Sequence, residues 1–97
     1  MRIIWREQAE LELDASFAFR IEENPGAAFR IYQTVRQKVE QLSTQPGLGR
    51  PGRVPDTREL VITGTPYIVA YRVDPAAEVV IILRVIHSAR HWPKELS

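Results

Sequence analysis

The residues with reactive potential gather late in this chain. His87, Arg84 and Arg90 share one short run, Arg72 lies one strand earlier, and Trp92 follows just beyond. Metal-free cleavage of RNA needs a base for the 2′-hydroxyl proton, cations around the phosphate and an acid for the leaving oxygen. A histidine exchanges protons near neutrality, and arginines match phosphate geometry while staying charged, so His87, Arg84 and Arg90 form a candidate catalytic set. The alternative for His87 is a structural hydrogen-bonder closing a strand. Arg72 and Arg84 interrupt apolar strands; they either emerge at an open sheet face, in contact with nucleic acid or a target protein, or pair with a buried carboxylate such as Glu59.

Arg50, Arg53 and Arg58 come from a loop and the strand after it. They are candidates for target contact, against solvated loop charge as the alternative. Trp92 either stacks on an exposed base, a contact of about 1–3 kcal/mol in single-strand binders, or folds back over the sheet edge and anchors the tail. No His, Asp or Glu spacing resembles a metal site, and no glycine-rich strand-to-helix loop resembles a phosphate cradle, so no metal or cofactor is expected. Ser16, Ser43, Ser88 and Ser97 lack a nucleophile context.

The elements that position these residues follow from periodicity. Met1 to Trp5 is apolar and β-branched at Ile3 and Ile4, which suits a first strand. From Glu7 to Glu23 the residues Ala9, Leu13, Phe17 and Ile21 recur every four positions and share one helix face, leaving Glu10, Glu12, Asp14 and Arg20 to water. Asn24-Pro25-Gly26 ends that helix and opens a second, with Asn as N-cap and Pro at the first helical position. Its apolar set is Ala28, Ile31, Val35, Val39 and Leu42, and so short a link predicts an antiparallel helical hairpin.

Thr44 to Pro55 holds three prolines and three glycines without periodicity and reads as a loop. Strand patterns follow at Arg58–Thr63, Tyr67–Asp74 and Val79–His87, the last two as a hairpin. Tyr67 and Tyr71 alternate onto the helix side. The final strand is apolar on nearly every residue, so it is covered on both faces or placed centrally. The expected fold is α+β: a two-layer βααβββ arrangement with the helical hairpin packed on a small antiparallel sheet.

Ninety-seven residues, 44% of them hydrophobic, suit a single domain over residues 1–97. The chain has no cysteine, which removes disulfides and thiolate metal sites and fits a reducing cytoplasm. Charges crowd in too early for a secretory signal, and no stretch is long and apolar enough for a membrane span. Net charge is +1, but before Leu48 there are six basic and seven acidic residues, and from Leu48 onward seven basic and five acidic, so the cationic half is the second.

The element order and four stretches together resemble the RelE/ParE superfamily, toxins of type II toxin–antitoxin modules also called plasmid stabilisation proteins. The stretches are Leu42–Arg50 (LSTQPGLGR), Arg58-Glu59-Leu60, Tyr67–Val73 (YIVAYRV), and Ile82–His87 (ILRVIH) followed by Arg90. The resemblance covers essentially the whole chain. It implies a growth-inhibiting toxin neutralised by a cognate antitoxin whose flexible segment wraps around it.

RelE-like members cleave mRNA on the ribosome, whereas ParE-like members inhibit DNA gyrase. RelE-like nucleases place an arginine right after the aromatic residue that opens the third strand; here that position is Ile68, which argues against nuclease activity. They also tend to end with a basic residue and a tyrosine, where this chain has His87, Arg90 and Trp92. The PGLGR loop, Tyr71-Arg72-Val73 and Leu83–His87 are more similar to ParE members, so the resemblance implies gyrase as target, with ribosome-bound mRNA as the alternative. A third reading is an inert module that only titrates an antitoxin. Leu11, Phe19, Phe29 and Tyr32 fall off the main core stripes and are candidates for an antitoxin groove, unless the helix phase differs and they are core.

Overall fold

A computed structural model describes residues 1–89 and Trp92. The elements are β1 (Arg2–Trp5), α1 (Glu7–Ile21), α2 (Pro25–Glu40) with a 3-10 turn (Gln41–Ser43), β2 (Arg50–Pro51), β3 (Arg58–Val61), β4 (Tyr67–Asp74) and β5 (Val79–His87). The Asn24 side chain accepts from the Ala27 N–H at 3.1 Å and Pro25 begins α2, so the two helices are separated where the capping residues said they would be.

The strands form one sheet in the order β1-β5-β4-β3-β2. The two-layer α+β class holds, with two differences. The sheet is mixed, because β1 runs parallel to β5, with Arg2 opposite Val79 and Trp5 opposite Ile82. Parallel neighbours need a long crossover, and the helical hairpin and the β3–β4–β5 meander supply it. The arginine loop also contributes a two-residue strand, Arg50–Pro51, paired antiparallel with Arg58-Glu59.

The main core lies between the helices and one sheet face, centred on Leu13, Val35, Val39, Leu42, Tyr71 and Ile82. On β5, Ala70 pairs with Arg84 but Tyr71 pairs with Ile82, so Leu83 is an extra residue in a bulge. Val80, Ile82 and Val85 therefore face the helices. Leu83 and Ile86 face the other way, where they join Ala70 under Val54, Ile81 and Trp92. Both faces of β5 are covered, and β1 and β4 flank it, which is why its residues are almost all apolar.

Of the four polar residues of α1 expected to face water, Asp14 is the exposed one. Glu10 takes a two-pronged ion pair from Arg36, at 2.8 and 2.7 Å. Arg20 donates to the Tyr67 hydroxyl at 2.8 Å. Glu12 reaches β5, as described below. The stripe of Ala9 and Leu13 is correct; its polar flanks are drawn into ion pairs because they border the helix–helix and helix–sheet seams.

Candidate functional site

Two places concentrate charged and aromatic groups. The first is the arginine loop, which Tyr71 holds from the helix side of the sheet and which reaches Glu59 on the helix-free face, beside Ala70. The Tyr71 side chain is fully buried, and its hydroxyl accepts from the Gly49 N–H and donates to the Pro46 carbonyl, both at 2.8 Å. A Cβ at position 49 would sit 2.7 Å from the Tyr71 hydroxyl and 2.9 Å from the Glu59 carbonyl, so only glycine fits. Thus held, the loop brings Arg50 and Arg53 onto Glu59, which is 3% exposed.

Glu59 accepts from the Arg53 backbone N–H at 2.8 Å, from Arg50 Nη2 at 3.0 Å and from Arg53 Nε at 3.2 Å. Burial pushes its carboxyl up, but the Arg53 N–H and the two guanidinium groups outweigh burial and hold it below the ordinary glutamate value. Arg50 and Arg53 remain about half exposed, at 53% and 50%. Arg53 also lies over the Trp92 ring, 3.9 Å from Cζ to centroid. Arg58 is turned to the Gly49 carbonyl at 2.7 Å. Arg72 alternates with Tyr71 and Val73, which face the helices, and so stands exposed on the helix-free face, opposite Ile81.

The second place is a cleft of about 600 Å³ between α1 and the outer edge of β5, lined among others by Ser16, Phe19, Arg20, Tyr67, Arg84 and His87. It exists because β1 stops at Trp5, opposite Ile82, leaving no strand along the outer edge of Leu83–His87. Glu12 stands in for one. Its carboxylate accepts from the Val85 backbone N–H at 3.0 Å and from Arg84 Nη2 at 2.6 Å. The hydrogen-bonded carboxylate raises the Arg84 pKa. His87 pairs across the strands with Tyr67, ring edge to face at 5.6 Å, and its Nδ1 accepts from the Ala89 N–H at 3.1 Å.

The candidate catalytic residues are thus partly assembled. His87 and Arg84 line one cleft, but the Arg84 guanidinium is committed to Glu12 and one nitrogen of His87 to Ala89. Arg90 lies outside the described residues. Arg72 and Arg84 do not form one cluster at a sheet end: Arg72 faces the helix-free side and Arg84 faces α1. Arg84 has the carboxylate partner that its position in an apolar strand requires, but the partner is Glu12, while Glu59 serves Arg50 and Arg53. Glu12 was missed because it sits 72 positions away in sequence; its only local signal is a place beside the Ala9–Leu13 stripe.

The candidate antitoxin-binding residues are dispersed over the hairpin. Phe29 is 55% exposed and packs edge-on against Phe17 at 5.0 Å. Tyr32 is half-buried beside the same ring at 5.8 Å and accepts from Arg36. Phe19, 77% exposed, instead lines the β5 cleft, and Leu11 lies exposed on α1. Trp92 rests on the helix-free face of the sheet under Arg53, rather than over an edge. Among the described residues no group of three His, Asp or Glu is placed to hold a metal ion, and no helix is long and apolar enough to cross a membrane.

Comparison with known proteins accounts for this architecture. The family model for the ParE toxin of the type II toxin–antitoxin system parDE matches residues 3–92. A Sinorhizobium fredii protein named "Putative toxin Y4kP" is 39% identical over 95 residues, spanning 98% of this chain and 96% of that protein. The chromosomal ParDE system of P. aeruginosa superposes with a TM-score of 0.79 at 28% identity, over 90% of this chain and 95% of the other. The RelBE2 toxin–antitoxin complex of Mycobacterium tuberculosis gives 0.65 at 28% identity, over 89% and 95%. The E. coli RelBE complex shares the fold at 15% identity, with a TM-score of 0.65 over 92% and 98%. With a family match over residues 3–92 and a 39% identical relative behind it, the βααββββ chain with its tethered arginine loop belongs to the ParE toxin family of type II toxin–antitoxin systems.

Proposed function

We propose that this toxin arrests growth by binding DNA gyrase in the cytoplasm, without chemistry of its own, and that a cognate antitoxin neutralises it. The observation that carries the reading is the Glu12–Arg84 pair. A cation meant to stabilise a cleaving phosphate must be free to meet it, and this one is neutralised by a carboxylate at 2.6 Å. Ile68 agrees with it: the position at which RelE-like nucleases carry an arginine is apolar here and buried beside Ile86. The purified chain is expected to inhibit supercoiling by gyrase; unchanged supercoiling at saturating toxin refutes the proposal.

The second reading, a ribosome-dependent mRNA endoribonuclease, draws on one observation: His87, Arg84 and Arg20 line the same cleft. Primer extension on translated mRNA, with His87→Ala, Arg84→Ala and Arg90→Ala as controls, decides it. Intact transcripts during growth arrest exclude it. The same cleft offers the antitoxin a sheet edge for an added strand, with exposed Phe19 as an apolar anchor.

A further inference from the structure

The helix-free face carries one feature that the gyrase reading does not use. Ala70, Leu83 and Ile86 form an apolar floor there, and Val54 and Trp92 cover it. Arg53 closes this socket over the indole, 3.9 Å from the ring centre. Two observations bear on how firmly the ring is held. Arg53 is half exposed and shares its guanidinium with Glu59, so solvent and the carboxylate weaken its attraction for the ring. The indole Nε1–H is stripped of water and meets no acceptor among the described residues. A buried donor without a partner forfeits its hydration, which opposes closure.

A fitted socket whose occupant carries a standing penalty is the arrangement of a reversible contact. We propose that Trp92 is a latch: closed, it covers the Ala70–Leu83–Ile86 floor; open, it leaves an apolar patch beside Arg53. Arg53 stays in place when the indole leaves, because Glu59 holds it through both its backbone N–H and its side chain. Any partner that uses this face then competes with Trp92 for the floor. The inference stands independently of the gyrase reading, since the latch is a property of the free chain.

Trp5 and Trp92 are the chain's two tryptophans, so Trp5→Phe in the full-length protein leaves Trp92 as the sole indole. Acrylamide quenching is expected to resolve a protected and an accessible fraction. Arg53→Ala in that background is expected to raise the quenching constant about two- to five-fold and shift emission to the red, with Arg53→Lys in between. Ala70→Val, which thickens the floor at the position opposite Glu59 while keeping Glu59, Arg50 and Arg53 themselves, is expected to do the same and serves as the second variant if Arg53→Ala loses its far-UV circular dichroism. A fully accessible indole in the Trp5→Phe protein overturns the socket. A wholly protected one overturns the reversibility, and quenching that neither Arg53→Ala nor Ala70→Val changes overturns the latch.

Discussion

Replacing Tyr71 by phenylalanine removes one oxygen atom and tests whether the arginine loop is held from beneath. The hydroxyl is fully buried and spans the loop, taking the Gly49 N–H and giving to the Pro46 carbonyl at 2.8 Å each. In Tyr71→Phe the buried Gly49 N–H loses its acceptor, at about 1–3 kcal/mol. Pro46 is only half-buried, so its carbonyl can turn to water and adds little. The aromatic ring and its packing are kept. The net expectation is about 2 kcal/mol, or a Tm lower by about 10 °C for a domain of this size. Urea unfolding followed by circular dichroism should show a lower midpoint at unchanged slope, since the area exposed on unfolding is the same. A companion variant sharpens the test. Gly49→Ala places a Cβ against both the hydroxyl and the ring edge of Tyr71 and against the Glu59 carbonyl, so its cost should fall only in part when combined with Tyr71→Phe. A Tyr71→Phe cost below about 0.5 kcal/mol, within ordinary surface-substitution scatter, or strict additivity of the two changes, refutes the tether.

Glu12→Gln breaks the Arg84 ion pair while keeping an acceptor for the Val85 N–H, and about 1–2 kcal/mol of stability is expected to be lost, with part recovered in the Glu12→Gln, Arg84→Met double variant; additive losses in denaturant unfolding would contradict the pairing. Stability should also decline in acid. The Arg36 hydrogen bond holds Glu10 below the ordinary value, and the arginine loop does the same for Glu59 against burial. Such groups stabilise fully above the unfolded glutamate value near 4.3 and lose that contribution as pH falls through their lower folded values. Unfolding midpoints between neutral pH and about pH 2 should trace this decline, and Glu59→Gln should flatten it.

Much of the scaffold was legible because local chemistry dictates it. The patterns at Tyr67–Asp74 and Val79–His87 coincide with β4 and β5, since the turn residues between them leave no other boundary. Asn24-Pro25 marked the second helix for the same reason. β2 was not legible: two residues inside a proline- and glycine-rich loop become a strand only because Tyr71 and Glu59 hold them there. Nor could four residues of β1 announce whether they would run parallel or antiparallel to a strand more than seventy positions later. The site was legible in composition but not in pairing. Arg72 and Arg84 each called for an open face or a carboxylate; Arg72 has the first and Arg84 the second, yet nothing local says which arginine takes which, or distinguishes Glu12 from Glu59 as the partner. Trp92 was expected either to stack on an exposed base or to fold back over the sheet edge, and its contact with Arg53 depends on a loop conformation that sequence patterning does not encode.

The extra residue at Leu83 has a consequence for how this strand can change in length. Ile82 and Val85 face the helices with two residues between them, whereas unbroken alternation would place Arg84 and Ile86 on that side. Loss of one residue between Ile82 and Val85 would remove the bulge and restore plain alternation, leaving Val85, Ile86 and His87 on the faces they now occupy. The bulge is therefore the point in the last part of β5 where a single deletion is compatible with both faces, whereas an odd deletion beyond it would turn the following side chains over. Both the cleft against α1 and the apolar floor beneath Trp92 depend on that one out-of-step position.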